Sequence, residues 1–317
     1  MAPETVVGQI RPDISDARVT EDMGLKKKSF AGSWEGRFST EEYEAVMEER
    51  KDIALTIDWE SGGSDVLSGA EIYKVIFDSN QPWMLSANGT IFTTEFEGVI
   101  PGLLKRWYSE RKDLQAHLKK AKDAKNDVET EYWDKRQLVK KINLNSLYGA
   151  ILNPGCRFFD KRIGQSTTLT GRTIVKHMSA EANKVITGTY DHTGDAVIYG
   201  DTDSVYFSAY PTLKADVESG KLEWNTEKAI TLYDQIADAV DSTFPDMMQK
   251  SHHCPKSRSD VIAAGREIVA KSALYITKKR YAALVVDNEG FRTDTDGKAG
   301  KVKAMGLDLR RSDTPVF

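Results

Sequence analysis

The chain has 317 residues, and its 44 lysines and arginines against 48 aspartates and glutamates give a formal net charge of −4. With 40% hydrophobic and 29% charged residues, the composition is typical of a soluble globular protein and excludes a chromatin-like cationic one. The sequence has no long apolar run and no signal-peptide pattern after Met1, so we expect no membrane-spanning helix and no membrane partner. Two isolated cysteines, Cys156 and Cys254, indicate a reducing compartment, and we expect a cytoplasmic protein.

Charge is segregated along the chain despite the small net value. Residues 101–180 carry 17 basic and 8 acidic side chains, residues 181–255 carry 5 and 13, and residues 256–317 carry 13 and 8. Two cationic blocks on either side of an acidic one suit a polyanionic partner such as DNA or a nucleoside triphosphate. Solvated helix faces of uneven charge explain the same pattern, so charge alone leaves both interpretations open.

Apolar periodicity and turn residues predict a mixed chain of helices and antiparallel strands, an α+β fold. The predicted helices cover residues 39–52, 103–125, 130–152, 169–186 and 226–244. The second and third of these are joined at Asn126-Asp127 and form an antiparallel helical hairpin. Alternating apolar residues predict strand hairpins around Asn88-Gly89 and around Thr277-Lys278-Lys279, and short strands on either side of Gly200–Asp203.

The segment Gly200-Asp201-Thr202-Asp203 carries the strongest chemical signal. Residues i and i+2 of a strand point the same way, so we expect Asp201 and Asp203 to share one face and to form an oxygen-rich site for Mg²⁺. Aspartates are also common in turns, and this alternative explains the segment equally well. The apolar strands on both sides favour the metal site, because a buried carboxylate pair is costly unless a cation neutralises it.

One face of the helical hairpin combines a cation with polar and aromatic groups. Lys141, Asn145 and Tyr148 are spaced i, i+4 and i+7 on the second helix, and Arg111 and Gln115 share a face of the first. Arginine offers paired donors to phosphate and lysine a point charge, so this face can grip a triphosphate. An ordinary salt-bridged helical hairpin is the alternative.

Five segments, in order, resemble the motifs of the family B DNA polymerases. Lys141–Gly149 resembles the fingers motif, Tyr199–Ser204 the palm carboxylate motif, Lys278–Tyr281 the primer-contacting motif, and Met305–Leu307 with Arg310–Pro315 the segment that leads into the thumb. Ser86–Gly89, Gly98–Pro101 and Arg111-Lys112 look most like the replicative polymerases of T-even-type bacteriophages. The resemblance covers the chain from about residue 1 to about residue 315.

The resemblance implies a fold and a role for each matched residue. It implies a palm with an antiparallel sheet over 1–101 and 156–300, a two-helix fingers hairpin over 102–155, and the start of a thumb connection over 301–317. Asp203 is expected to coordinate two Mg²⁺ ions, with Asp201 beside them. The residues expected to bind the incoming nucleotide or to pack under the new base pair are Arg111, Lys141, Asn145 and Tyr148, with Lys141 also assigned a catalytic role. Those expected to hold the primer are Lys278, Lys279, Arg280 and Tyr281.

The implied partners are primer-template DNA, deoxynucleoside triphosphates and, as a further candidate, a sliding clamp, in the host cytoplasm if a phage encodes the chain. Two departures stand out. Gln115 occupies a position where phage members often have lysine, and Lys119 is the nearest substitute. No Asp followed by a Ser-Leu-Tyr-Pro-type stretch is present, although that motif supplies the family's other essential carboxylate.

The missing motif leads to two hypotheses. The first is a catalytic part of a split or truncated DNA-directed DNA polymerase, which is inactive alone and needs a second chain for the first carboxylate, the exonuclease and the thumb. The second is a non-catalytic DNA-binding or assembly remnant of such a polymerase. The presence of Asp201, Asp203, Lys141 and Asn145 favours the first.

Overall fold

The computed structural model of the chain describes residues 1–12, 51–52, 54–295 and 297–307. The described part is an α+β fold in which every strand pairing is antiparallel, as the sequence predicted. The predicted helix over 39–52 lies almost wholly outside these residues, and the segment 310–315 lies outside them entirely. Among the helices described, none is long and apolar enough to cross a membrane.

The chain folds as two compact units, which are described separately. The first contains Met1–Thr170 and His252–Pro255, and the second contains Gly171–Ser251 and the chain from Lys256 onward. The predicted division into palm, fingers and thumb connection follows family boundaries rather than compactness, and it stays a prediction.

A five-stranded sheet forms the base of the first unit. Its strands are β1 (Val6–Pro12), β2 (Ala54–Trp59), β3 (Ser64–Ser68), β4 (Trp83–Leu85) and β5 (Thr90–Thr93), in the order β3-β2-β1-β5-β4. Gly62 and Gly63 turn the chain between β2 and β3 with φ values of 99° and 87°, which glycine adopts without strain. The predicted hairpin at Asn88-Gly89 is confirmed as β4 and β5.

One face of this sheet is covered by helix α1 (Gly69–Tyr73), which continues as a π-helical turn over Lys74–Asp78. Ser68 and Glu71 form a capping box that fixes the start of the helix. The side chains that form the core between sheet and helix are all at most 2% exposed: Ile10, Leu55, Ile57, Ile72, Ile76, Leu85 and Ile91.

A buried polar network anchors the β4–β5 turn. The Oδ1 atom of Asn88 accepts hydrogen bonds from Ser86 Oγ (2.6 Å), Ser166 Oγ (2.8 Å) and Thr90 Oγ1 (3.0 Å). Its Nδ2 donates to the carbonyl oxygen of Arg162 at 3.2 Å. Buried polar groups are costly when they lack hydrogen-bond partners, and here each group has one. These hydrogen bonds therefore specify the turn and its contact with the helix that contains Arg162 and Ser166.

The predicted helical hairpin is confirmed as helix α2 (Val99–Asp123) and helix α3 (Asp127–Ile151). Asn126, predicted as the break, is the N-cap of α3 and accepts a hydrogen bond from the Glu129 amide. Helix α4 (Lys161–Thr187) begins eight residues before the predicted start. Ile151 and Ile163, at adjoining ends of α3 and α4, pack on Val6 and Phe92 of the sheet.

The second unit contains a two-stranded sheet of β6 (Val197–Asp201) and β7 (Ser204–Phe207). Its further helices are α5 (Tyr210–Glu218), α6 (Thr226–Asp241) and α7 (Phe244–His252). Its larger sheet contains β8 (Ile268–Thr277), β9 (Arg280–Asn288), β10 (Phe291–Arg292) and β11 (Lys301–Met305), and β9 pairs with the other three. Helices α5 and α7 were not predicted, whereas α6 and the β8–β9 hairpin were.

A single arginine, Arg266, binds one aspartate of helix α6 and one aspartate of strand β9 and so links the helix to the larger sheet. Arg266 donates to Asp234 at 2.7 Å and to Asp287, and its side chain is only 10% exposed. Asp287 also accepts a hydrogen bond from the Gly290 amide at 3.0 Å. Because the buried carboxylate has two donors, its desolvation is compensated.

Gly306 lies where no side chain fits. Met305 pairs with Tyr281, and the next residue has a φ of 60°. A Cβ atom on Gly306 would lie 2.1 Å from the carbonyl oxygen of Lys279. The close approach of two backbones therefore requires glycine after β11.

We expect Gly306→Ala to destabilise the chain and to displace the β8–β9 turn. Gly290→Ala is the matched control, because Gly290 also has a positive φ, 85°, but a Cβ there meets nothing within 4 Å. Both variants carry the left-handed strain of about 1–2 kcal/mol, and Gly306→Ala adds an overpacking cost of about 1–3 kcal/mol. Chemical denaturation measures the difference, and equal losses in the two variants contradict the close approach.

His177 is buried, at 3% exposure, inside the second unit. Thr243 donates its hydroxyl to the Val240 carbonyl, so its oxygen accepts from His177 Nε2 at 2.9 Å, and Tyr190 hydroxyl lies 2.9 Å from Nδ1. Burial, with a smaller contribution from the Lys184 charge, lowers the pKa of His177 to about 4. The neutral ring is thus the folded form.

Acidification is expected to destabilise the fold through this residue. The unfolded chain binds the proton below about pH 6.5 and the folded chain only near pH 4, so stability falls across that window by roughly 3 kcal/mol. Thermal melts of His177→Gln at pH 7 and 5 should show a smaller acid loss than wild type. His117→Gln, at an exposed position on α2, is the control and should keep the wild-type loss.

Candidate active site

The two aspartates lie at the tip of the β6–β7 hairpin. Asp201 ends β6, Ser204 begins β7, and Thr202 and Asp203 form the turn. The Asp203 amide donates to the Asp201 carbonyl at 2.6 Å, and Thr202 has a φ of 56°, which together describe a γ-turn. The predicted short strands on either side of Gly200–Asp203 are confirmed, with the aspartates at the tip of their hairpin. The further expectation that Asp201 and Asp203 share one face of a strand is wrong, since a turn separates them.

The burial expected around these carboxylates is also absent. Asp203 is exposed and Asp201 is about half-buried, while the strand residues beside them are mostly half-buried. The argument that burial forces a neutralising cation is wrong, because a two-stranded sheet shields its tip poorly. The remaining support for a metal is the placement of two carboxylates at one strained turn, a feature found at functional sites.

The donor set suits Mg²⁺ in part. Mg²⁺ is commonly held by one or two carboxylates together with substrate phosphates and waters. Asp201 and Asp203 can supply the carboxylates. Within the described ranges, no group of three or more histidine, cysteine or acidic side chains is placed to hold an ion. Asp201 and Asp203 thus offer only part of the ligand set that such an ion takes.

The predicted primer-contacting turn lies against this hairpin. The Lys279 amide donates to the Tyr199 hydroxyl at 2.8 Å, and Lys279 Nζ lies 3.9 Å from Asp201 Oδ2. Lys278, Lys279 and Arg280 are exposed, and Lys279 has a φ of 62°. Two motifs about 80 residues apart in sequence therefore lie in contact, with the Lys279 ammonium beside the Asp201 carboxylate.

A cluster of four tyrosines joins the two hairpins. The rings of Tyr199, Tyr206, Tyr275 and Tyr281 lie with centroids 5.4–6.0 Å apart. Tyr206 and Tyr281 share a hydrogen bond of 3.0 Å between their hydroxyls. Burial raises the pKa of both Tyr206 and Tyr275 to about 12, so these two phenols are neutral at physiological pH.

Tyr281 occupies a different place from the one expected of it. It is only 6% exposed, and its hydroxyl is bound to Tyr206, so its side chain supports the turn from beneath. Primer contact through an exposed Tyr281 ring does not fit this position. Tyr206 and Tyr275 were missed by sequence reasoning, although alternate tyrosines on short strands are a packing signal.

The predicted triphosphate residues lie on the helical hairpin of the first unit. Lys141 and Asn145 are exposed on α3, and Arg111 is half-buried, with its Nε 3.4 Å from Gln137 Oε1. Tyr148 is half-buried and its hydroxyl lies 3.4 Å from the Gly164 carbonyl oxygen. Lys141 makes no ion pair with any other described residue, which leaves its charge available to an anion.

Neighbouring charges are used differently. Lys140 pairs with Glu110 and lies 5.9 Å from the ring centroid of Trp107, and this contact ties α3 to α2. The Lys140 side chain also lowers the pKa of Glu110 by hydrogen bonding. The two adjacent lysines therefore differ in role: Lys140 links the two helices, and the side chain of Lys141 is exposed to solvent.

Comparison with known proteins identifies relatives of the chain. The sequence model of DNA polymerase family B matches residues 69–234. The DNA-directed DNA polymerase of Escherichia phage RB69 is 32% identical over 190 residues, covering 56% of this chain and 20% of the relative. The DNA polymerase delta catalytic subunit of Oryza sativa subsp. japonica is 32% identical over 219 residues, covering 68% and 16%. A solved family B DNA polymerase structure from Pyrobaculum calidifontis covers 72% of this chain and 23% of its own, at 21% identity and a TM-score of 0.41.

These matches identify the family of the chain but no narrower group within that family. The plant and phage relatives are equally identical to the chain, so the predicted likeness to T-even-type phages is not distinguished from likeness to other members. The chain spans a fifth or less of the length of these two curated relatives. The matched residues include Lys141, Asn145, Asp201 and Asp203 and exceed half of the sequence. The chain belongs to DNA polymerase family B.

Proposed function

We propose that this chain is the palm-and-fingers portion of a DNA-directed DNA polymerase that adds deoxynucleotides to a primer 3′-OH. One observation carries the proposal: the exposed β8–β9 turn lies against the hairpin that bears Asp201 and Asp203, with Lys279 Nζ 3.9 Å from Asp201 Oδ2. A primer strand held by Lys278, Lys279 and Arg280 would bring its 3′ end to those carboxylates. Family membership supports the same reaction class.

Asp203 and Asp201 are the residues that would hold Mg²⁺. Mg²⁺ bound there would supply stabilisation of the charge that develops in an in-line displacement at the α-phosphate. Asp203 is exposed, so we assign it the direct ligand role. Asp201 accepts from Thr202 Oγ1 at 3.1 Å and lies 3.9 Å from Lys279 Nζ, which suits a residue that adjusts the geometry.

The fingers residues would bind the incoming triphosphate. Lys141 offers an ammonium that has no ion pair among the described residues, Arg111 offers paired donors, and Asn145 an amide, all within one antiparallel hairpin. Tyr148 would pack under the new base pair. With Gln115 in place of a cation, Lys119 is the next exposed basic side chain along α2.

The proposed partners follow from the assigned roles of the residues and from the absence of the first palm motif in the sequence. Substrates are primer-template DNA and deoxynucleoside triphosphates, and a sliding clamp is a further candidate. The first palm carboxylate would come from protein outside these 317 residues, which we assign to a second polymerase chain. A non-catalytic DNA-binding remnant is the competing function, and the lack of a third acidic ligand among the described residues favours it.

The assigned metal roles predict unequal losses on substitution. In a complex reconstituted with a chain bearing the first palm motif, Asp203→Asn should lower single-turnover incorporation at least about a thousandfold, roughly 4 kcal/mol of barrier. Asp201→Asn should keep part of the rate. Melting temperatures should stay equal or rise, because removing one of two close like charges relieves repulsion.

Equal and small losses in both variants would remove the metal assignment and leave the aspartates as turn residues. The unmixed chain is the negative control, because it holds only one of the two carboxylate motifs. Robust primer extension by that chain alone contradicts the need for a second polypeptide.

Lys141→Ala tests the triphosphate face. A lost charge-assisted hydrogen bond is worth about 1.5–3 kcal/mol, so nucleotide use in the reconstituted complex should weaken about tenfold or more. Lys135→Ala is the control, since Lys135 is an exposed lysine of the same helix that pairs with Glu131 at 2.6 Å. Kinetics equal to the control would show that Lys141 does not touch the triphosphate.

A further inference from the structure

Lys279 differs from the other cations of the β8–β9 turn in having an acidic neighbour. Its Nζ atom lies 3.9 Å from Asp201 Oδ2. Lys278 and Arg280, on either side of it, form no ion pair with any other described residue. Within the described part of the turn, the Lys279 ammonium alone therefore serves as a counter-ion of Asp201.

The backbone of Lys279 is fixed from two sides. Its amide donates to the Tyr199 hydroxyl at 2.8 Å. Gly306 lies so close that a Cβ atom on it would be 2.1 Å from the Lys279 carbonyl oxygen. The Cα atom of Lys279 is thus held in place, and rotation about the side-chain bonds is what can move its ammonium.

The ion pair itself is loose. A separation of 3.9 Å is longer than a hydrogen bond, and the Lys279 side chain is 67% exposed. Exposed pairs of this kind contribute little net free energy, because water competes for both charges. A lysine ammonium is a point charge on a flexible four-carbon stem, so it can turn to another anion at small cost.

The two aspartates of the tip differ in how far they are engaged. Thr202 Oγ1 lies 3.1 Å from Asp201 Oδ1, and Lys279 Nζ is the neighbour of Asp201 Oδ2. The Asp203 side chain is exposed and has no partner among the described residues. A cation that arrives at the tip therefore meets one open carboxylate and one that already has a counter-charge.

The Lys279 ammonium opposes a divalent ion at this tip, because like charges a few ångströms apart repel each other. A backbone phosphate of a primer is a competing anion for the ammonium, since charge-assisted hydrogen bonds to phosphate are strong. Transfer of the ammonium to phosphate would restore the negative charge of Asp201. Coupling between two binding events is reciprocal, so bound metal would favour the primer by the same factor.

We propose that Lys279 is a movable counter-ion that couples primer binding to divalent-metal binding at the hairpin tip. Without a primer, its ammonium neutralises Asp201. With a primer, the ammonium lies on a backbone phosphate and leaves the Asp201 charge to the metal. This inference rests on the proposed function for the primer and for the metal ligands, and it does not depend on where the first palm carboxylate comes from.

The ion pair is tested first, in the full chain without DNA and in EDTA. NMR of the lysine ammonium groups reports on each Nζ atom separately. Asp201→Asn should shift the Lys279 ammonium signal and leave the Lys278 signal in place. A Lys279 signal that does not move in Asp201→Asn overturns the proposal before any metal is added.

The coupling is measured as Mn²⁺ affinity, from the electron spin resonance of free Mn²⁺. In the DNA-free chain, Lys279→Met should raise the affinity about threefold, because methionine keeps the length of the side chain and removes the charge. Lys278→Met removes a cation without an acidic partner from the same turn and should raise it less. A saturating primer-template hairpin should raise the wild-type affinity about threefold more than it raises that of Lys279→Met.

Asp203→Asn separates failure of this proposal from failure of the proposed function. If Asp203→Asn binds Mn²⁺ as wild type does, the metal lies elsewhere, and the metal assignment falls together with the coupling. If binding depends on Asp203 but the hairpin DNA raises affinity equally in wild type and Lys279→Met, the coupling alone is overturned. If fluorescence anisotropy shows no binding of the DNA, the primer-contacting role of the turn is overturned with it.

Discussion

The candidate site depends on the bond between the Lys279 amide and the Tyr199 hydroxyl, 2.8 Å long, and on the tyrosine cluster beneath it. The two hairpins belong to separate sheets in the described part of the chain, and aromatic packing and three phenolic hydroxyls hold them together. Aromatic pairs at these separations contribute about 0.5–1.5 kcal/mol each beyond their buried area. Tyr206 and Tyr275 remain neutral well above physiological pH, so ordinary changes of pH place no charge on these two rings. The cations of one turn are thereby kept within reach of the carboxylates of the other.

The sequence predicted those elements whose signals are local. The fingers hairpin, the β4–β5 hairpin and the β8–β9 hairpin each combine clear periodicity with strong turn residues, and each is confirmed. Strands β1, β2 and β3 escaped prediction because β1 pairs with residues about 50 positions away and carries Gly8 and Gln9 where alternation is expected. Long-range pairing of this kind leaves little trace in a short window of sequence.

The sequence predicted which residues form the candidate site, but it did not predict the conformation of the turn that carries them. The motif located Asp201 and Asp203, but a γ-turn, rather than a shared strand face, brings them to one tip. Tyr281 was grouped with its basic neighbours by motif, yet alternation along β9 turns it inward while Arg280 stays exposed. Turn conformation depends on the backbone dihedral angles of single residues, such as the φ of 56° at Thr202, and on tertiary contacts, which residue types alone do not specify.

The Asn88-Gly89 turn also bears on how the protein ages. An asparagine before glycine deamidates when the glycine backbone nitrogen attacks the side-chain carbonyl carbon, a reaction that needs both groups to move freely. Here the Gly89 amide is held by the Ser86 carbonyl at 2.9 Å, and Asn88 Oδ1 is bound by three hydroxyls in a buried site. The same hydrogen bonds that specify the turn therefore block cyclisation to the succinimide. A dipeptide that is short-lived in a flexible loop becomes chemically durable in this position.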